Sequence, residues 1–327
     1  MFSRKWLVTA GALAALAFGV AACGGDDDGN GGSSDNGGSS DGGSLSGDIQ
    51  IDGSSTVAPL AEVAAELFQA ENPDVRVVVG TSGTGGGFEK FCVGETDISD
   101  ASRVIGEDEI EVCEQNGVEW EELQVANDGL TVVVNPENPV SCMTVEQLNQ
   151  VWDKGSNVSS WSEIDGLEED FGESLELFGP GTDSGTFDYF TEAINGEEGQ
   201  QRTDYNNVGE DDNGTVRGVS GNVGGMGYFG LSFAEENEGT VKALEIDGGD
   251  GCVAPSTDTV QDGSYQPLGR GLFMYPSAEA LQREEVKAFL DFYITNQATI
   301  TEQALYVPLT DEQTAESQAK VDELAGS

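Results

Sequence analysis

The chain has 327 residues, with 61 acidic side chains against 13 basic ones and no histidine, for a formal net charge of −48. That charge excludes nucleic acid and anionic lipid as partners bound by long-range attraction, and the missing histidine removes the usual general base and a common zinc ligand. The length allows two domains, each with a core of its own.

Arg4 and Lys5 precede an apolar run over 6–22 that ends in Val20-Ala21-Ala22-Cys23, an export signal rather than a spanning helix. The ending matches the lipobox of bacterial lipoproteins, which implies that Cys23 becomes a lipidated first residue, with 1–23 as signal peptide. From 24 to 47 nearly every residue is Gly, Ser, Asp or Asn, a flexible tether without a core. A strand is expected over 48–51 and a helix over 59–70. The β-branched run 75–79 has the composition of a buried parallel strand, and 107–115 is expected as a helix. A long apolar strand over 123–134 then crosses between domains, and Pro136 to Pro139 marks a boundary.

A helix over 143–152 carries Thr144 as its cap, and Trp152 and Trp161 are expected in the core. The acidic stretch 163–173 is expected as loop. Glycines over 224–230 suit a strand passing close to another backbone. A second crossing strand is expected over 271–275, then helices over 278–295 and 312–325. Because the chain crosses out near Leu130 and back near Leu272, domain I is read as 48–130 with 270–327 and domain II as 131–269. The fold class is α/β with parallel sheets.

Three segments repeat one arrangement of strand, hydroxyl loop and helix. They are Asp52-Gly-Ser-Ser-Thr56 leading into Leu60, Gly80-Thr-Ser-Gly-Thr-Gly-Gly-Gly87 leading into Phe88, and Gly181-Thr-Asp-Ser-Gly-Thr186 leading into Phe187. Helix N-termini expose unpartnered N–H groups and the positive end of the helix dipole, so three of them converging can surround a tetrahedral anion with neutral donors. Each such bond to a charged group is worth roughly 1.5–3 kcal/mol.

Four further cysteines, Cys92, Cys113, Cys142 and Cys252, favour disulfides in an exported chain. Three pairings are open. Cys92 with Cys113 would close a local loop, and Cys142 with Cys252 would join two points of the middle segment.

The three loops resemble those of the substrate-binding protein of the high-affinity phosphate ABC transporter, the PstS family, in the same order and over about 49–309. The resemblance implies a type II periplasmic-binding-protein fold, two α/β domains joined by crossing strands that close on one phosphate in the cleft between them. By position it places ligand contacts on Ser55 and Thr56, on Thr84 with Ser82 beside it, and on Ser184, Gly185 and Thr186. The family commonly carries an arginine before Ser-Gly-Thr, where this chain has Pro180. It also carries an aspartate in the first domain, where this chain has Ser102 followed by Arg103.

Arg103 is therefore expected to supply a guanidinium from the opposite domain. Asp183 or Asp212 is expected to accept the proton that separates hydrogen phosphate from sulfate. Arg217 and Arg270 are assigned to structure. No cofactor and no metal is expected. The implied partners are inorganic phosphate, the permease subunits of an ABC transporter, and the outer face of the bacterial cell membrane through the lipid on Cys23; nucleic acid is excluded and the chain is expected as a monomer. Another oxyanion, sulfate or molybdate, is the alternative ligand. A phosphoester hydrolase using Ser55 or Ser184 is the alternative function, weakened by the absence of a histidine base and of a P-loop.

Overall fold

The computed structural model describes residues 44–167 and 171–326. The export signal with Cys23, most of the tether, and 168–170 of the acidic stretch lie outside the described residues. The folded body begins earlier than the tether's expected end: Leu45 packs against the first core and the first strand starts at Gly47.

The β-branched strand Val75–Gly80 forms one edge of a nine-stranded sheet. Next to it, in order, run Gly47–Gly53, Ile98–Ala101, Gly269–Pro276, Leu123–Val134, Gly225–Gly230, Glu176–Gly179 and Asn206–Asn207, with Lys242–Ala243 added on the end of Leu123–Val134. Pairing is parallel among the first three strands and among the last three of the main path, and antiparallel around the two central ones. The central pair are the two strands expected to cross between the halves of the chain. Leu123–Val134 pairs with Gly269–Pro276 up to Gly129, opposite Gly269, and with Gly225–Gly230 from Leu130 onward.

Hydrophobic burial follows the same division. Leu123, Val125 and Ala126 join a core with Ile49, Leu60, Phe68, Phe289 and Tyr293, whereas Leu130, Val132 and Val134 join a second core with Trp152, Trp161, Phe190 and Tyr228. Fully burying each such aliphatic side chain contributes about 1.5–3 kcal/mol. Between the two cores the strand turns polar at Asn127 and Asp128, both buried. At Gly129 a Cβ would come within 2.8 Å of the Val260 side chain, so only glycine fits there.

Helices cover both halves. Thr144 caps Val145–Trp152 in a capping box with Gln147, accepting from its N–H at 3.1 Å. The helix expected over 278–295 is interrupted: a 3₁₀ turn, Ala280–Gln282, precedes the α-helix Glu284–Thr295 because Arg283 is extended at φ −90°, ψ 128°. Its guanidinium there donates to Asp48 O at 3.0 Å. A helix at Gln297–Ala304, absent from the sequence reading, follows. Cys92 is joined to Cys113 and Cys142 to Cys252. The first bridge is buried between the helices Thr84–Phe91 and Glu107–Asn116; the second ties the small sheet of Cys142–Thr144, Glu245–Asp247 and Cys252–Val253.

Candidate anion-binding site

Two of the three hydroxyl loops meet directly. Ser54 donates its N–H to Asp100 O at 2.9 Å, and its Oγ accepts from the Thr56 N–H at 3.2 Å, which shapes the turn ahead of the helix Ala58–Glu71. Gly83, at φ 81°, starts the helix Thr84–Phe91. Its N–H donates to Gly53 O at 2.9 Å, holding the second loop against the first. Thr84 Oγ1 accepts from the Ser102 N–H at 3.2 Å and lies 3.1 Å from Ser102 Oγ. The third loop abuts them: a Cβ on Gly185 would come 3.1 Å from Thr56 Oγ1.

The cavity at this junction is small, ≈ 30 Å³, and is lined by Ser54, Ser55, Thr56, Gly83, Thr84 and Ser102 on one side. Asp188, Tyr189, Glu192 and Glu198 line the other, with Arg270 between. That volume suits a water or a small ion and not a nucleotide. Larger grooves elsewhere lack this convergence. The ≈ 840 Å³ groove beside Arg283 has its cation engaged by Asp97 and Glu285, and the ≈ 570 Å³ groove beside Leu231 is lined largely by apolar side chains.

Arg270 is the cleft's cation. It sits on the returning crossing strand, its guanidinium carbon 3.4 Å from the centre of the Tyr189 ring. Nη2 donates to Thr56 Oγ1 at 3.3 Å, Nε donates to Asp128 at 3.4 Å, and Glu192 lies 3.8 Å from Nη1. Burial pushes the Asp128 carboxyl up, an effect that Arg270 partly offsets. Asp188 is pushed up to about 6, first by burial and then by Glu198 and Glu192, against the pull of Arg270. Beneath the first loop Asp100 is fully buried, and neither of its carboxylate oxygens has a hydrogen-bond partner among the described residues. Burial, and then Asp52, raises its pKa well above the ordinary carboxylate value.

A PBP superfamily domain model matches residues 38–297. The chain is 33% identical over 326 residues to the phosphate-binding protein PstS of Staphylococcus saprophyticus, covering 99% of this chain and 96% of that one. It is 44% identical over 264 residues to protein SphX of Synechococcus elongatus, covering 80% and 77%. A crystal structure of a possible phosphate binding protein from Planctomyces limnophilus superposes with a TM-score of 0.82 at 42% identity, covering 86% of this chain and 99% of that one. This chain belongs to the PstS family.

For a PstS-family chain, the expected contacts divide. Ser55, Thr56, Thr84 and Ser102 line the cavity together. Ser82 does not: its hydroxyl and N–H both turn to Asp52, which Lys90 also holds at 2.7 Å. Ser184 is buried at the N-terminus of Gly185–Asn195, and Gly185 and Thr186 form the first turn; this turn packs on Thr56, while the cavity itself is lined from Asp188 onward.

Three expected residues stand elsewhere. Asp183 is exposed, in the turn before the helix. Asp212 opens the helix Asp212–Gly221 outside the cavity lining, pushed up to about 6 by burial and by Glu210 and Asp211. Arg103 is turned away onto Glu109, donating to both carboxylate oxygens at 2.8 Å.

Arg217 pairs with Asp211 on the surface, as a structural arginine would. Arg270 does not remain purely structural, since it lines the cleft. The sequence held signals for the missed residues. Ser184, Asp188 and Glu192 recur every four residues, one stripe of a helix whose start was already marked. Arg270 is a scarce cation set between Gly269 and Gly271 on a crossing strand.

Among the described residues no helix is long and apolar enough to cross a membrane.

Proposed function

We propose that the chain is an extracytoplasmic receptor that captures inorganic phosphate in this cleft and delivers it to the permease of an ABC transporter. The observation that carries the ligand is the meeting, in one cavity of ≈ 30 Å³, of hydroxyls from separate loops with the guanidinium of Arg270. Neutral donors and one forked cation suit a small tetrahedral oxyanion. The relatives that are named as phosphate-binding proteins support the same ligand. The lipobox at Cys23 supports a lipid anchor on the outer face of the cell membrane, and the two cores support closure of 48–130 with 270–327 onto 131–269 around the crossing strands. Capture and release need no chemistry on the ligand, so the chain is a carrier and not a hydrolase.

The proton-reading role moves from Asp183 and Asp212 to Asp188, whose carboxyl lines the cleft. A hydrogen phosphate can share a proton with it, whereas fully ionised sulfate would face it as a like charge. In a thermal-shift and calorimetric panel on the chain, phosphate and arsenate should raise Tm and bind tightly, sulfate and molybdate should not, and p-nitrophenyl phosphate should go unhydrolysed. A ligand present at a hundred times its Kd stabilises by about 2.7 kcal/mol, which such a scan resolves. Tighter binding of sulfate than of phosphate would overturn the assignment.

A further inference from the structure

The first loop of the cleft is held from behind by the segment 305–309. Leu305, left-handed at φ 62°, ends the helix Gln297–Ala304 and turns the chain back beneath the crossing strand. Val307 then exchanges both backbone hydrogen bonds with Asn127, at 2.9 and 3.0 Å. Between these two residues the Tyr306 hydroxyl donates to Thr56 O at 2.7 Å. The helix that follows Thr56 does not use that carbonyl: Leu60 and Ala61 both donate to Val57 O. Thr56 is thus fixed at three points, by Ser54 through its N–H, by Arg270 through its hydroxyl and by Tyr306 through its carbonyl.

We propose that Tyr306 is a positioning residue for the anion site, tying the Ser54–Thr56 loop to the strand on which the two halves of the molecule cross. The inference rests on the reading of this cleft as an oxyanion site. Its geometric content is that one short segment grips both the pivot, at Asn127, and a loop that contacts ligand, so the loop's placement depends on the pivot and not only on its own sheet. Asp128, Arg270 and Glu210 are the charged groups acting on the Tyr306 phenol, and burial keeps the phenol protonated, as a donor must be. Its ring packs on the first core, so removing the hydroxyl alone leaves the packing in place.

The experiment is Tyr306→Phe in the folded chain, with inorganic phosphate affinity measured by calorimetry, amide exchange followed at Thr56 and Val57, and Tm recorded. The expected result is a rise in Kd of about tenfold, with faster exchange at both amides. A hydroxyl that served stability alone would lower Tm and leave Kd within twofold of the parent, and that outcome overturns the proposal. If the parent binds no phosphate, the functional reading fails, and the exchange rates alone decide whether Tyr306 positions the loop. If Tyr306→Phe does not fold, 4-fluorophenylalanine at 306 fills the space of the hydroxyl without donating to Thr56 O, and the phosphate Kd should again rise about tenfold. A Kd within twofold of the parent refutes the idea.

Discussion

The two walls of the cleft are built from opposite chemistry. One presents Ser54, Ser55, Thr56, Thr84 and Ser102, and burial raises the pKa of Asp100, the acid beneath its first loop, well above its ordinary value. The other presents Asp188, Glu192 and Glu198 from the helix Gly185–Asn195 and the loop after it. On a chain of net charge −48 an anion gains nothing from long-range attraction. On the proposed reading, affinity belongs to the hydroxyl wall with Arg270, and discrimination belongs to the acidic wall, which an anion would approach only with a proton in between.

The largest break in that scheme is the loss of the cation. Arg270→Met should weaken phosphate binding about a hundredfold or more, since a charge-assisted, largely desolvated contact is lost and Asp128 is left unpaired. Arg270→Lys keeps the charge but loses the fork and the stacking on Tyr189, and should cost about tenfold. Calorimetry checks both, with Tm recorded alongside because the stranded Asp128 also destabilises the fold. Unchanged affinity in Arg270→Lys would mean that the guanidinium is structural after all.

Next comes the hydroxyl wall. Thr84→Val preserves shape and removes the hydroxyl that holds Ser102, and should weaken binding about tenfold at every pH. A pH-dependent loss would blur the separation between the walls.

How much of this was legible in the sequence depends on the range of the interactions. The crossing strand 123–134 and the capped helix after Thr144 were legible because composition and capping are local signals, and the structure gives Leu123–Val134 and Val145–Trp152. Ser55, Thr56 and Thr84 could be named because loop chemistry at a helix start is also local, whereas Ser102 was marked only by the family resemblance. Arg103 against Arg270 could not be decided that way. Which arginine faces the cleft depends on Glu109 capturing one through a fork, and on Tyr189 stacking under the other from 81 positions earlier in the chain. The break at Arg283 escaped for the same reason, since its partners Asp48 and Asp97 lie far back in the sequence.

The acidic wall is tested by Asp188→Asn. In the folded chain Asp188 is raised to about 6 from 3.8, so its proton is held more tightly than in the unfolded chain. Its contribution to stability is therefore full below the unfolded value and is lost as pH rises through about 6. A bound anion favours the protonated form further, so phosphate should bind more tightly at pH 5.5 than at pH 7.5 once the ligand's own ionisation is subtracted. In Asp188→Asn that residual slope should flatten and the discrimination against sulfate should shrink, both read by calorimetry across pH. A slope that survives would pass the role to Glu192 or Glu198.

The smallest effect sharpens the comparison most. Arg103→Met should change phosphate affinity by no more than about twofold, although the motif next to Ser102 made Arg103 the expected ligand. Its side chain is 43% exposed and is held by the fork to Glu109 and by the Val104 carbonyl, and such surface pairs contribute about 0–1 kcal/mol. Glu109 keeps the Gly106 N–H at 2.7 Å when the arginine is gone, so the helix start at Glu107 survives the change. A tenfold loss in calorimetry would mean that Arg103 leaves Glu109 for the ligand when the halves close. The first wall would then carry a cation in the bound state, and its donors would no longer be neutral. Because Glu192 acts on Arg103 across the cleft, Glu192→Gln would show in the same experiment whether the two meet on closure.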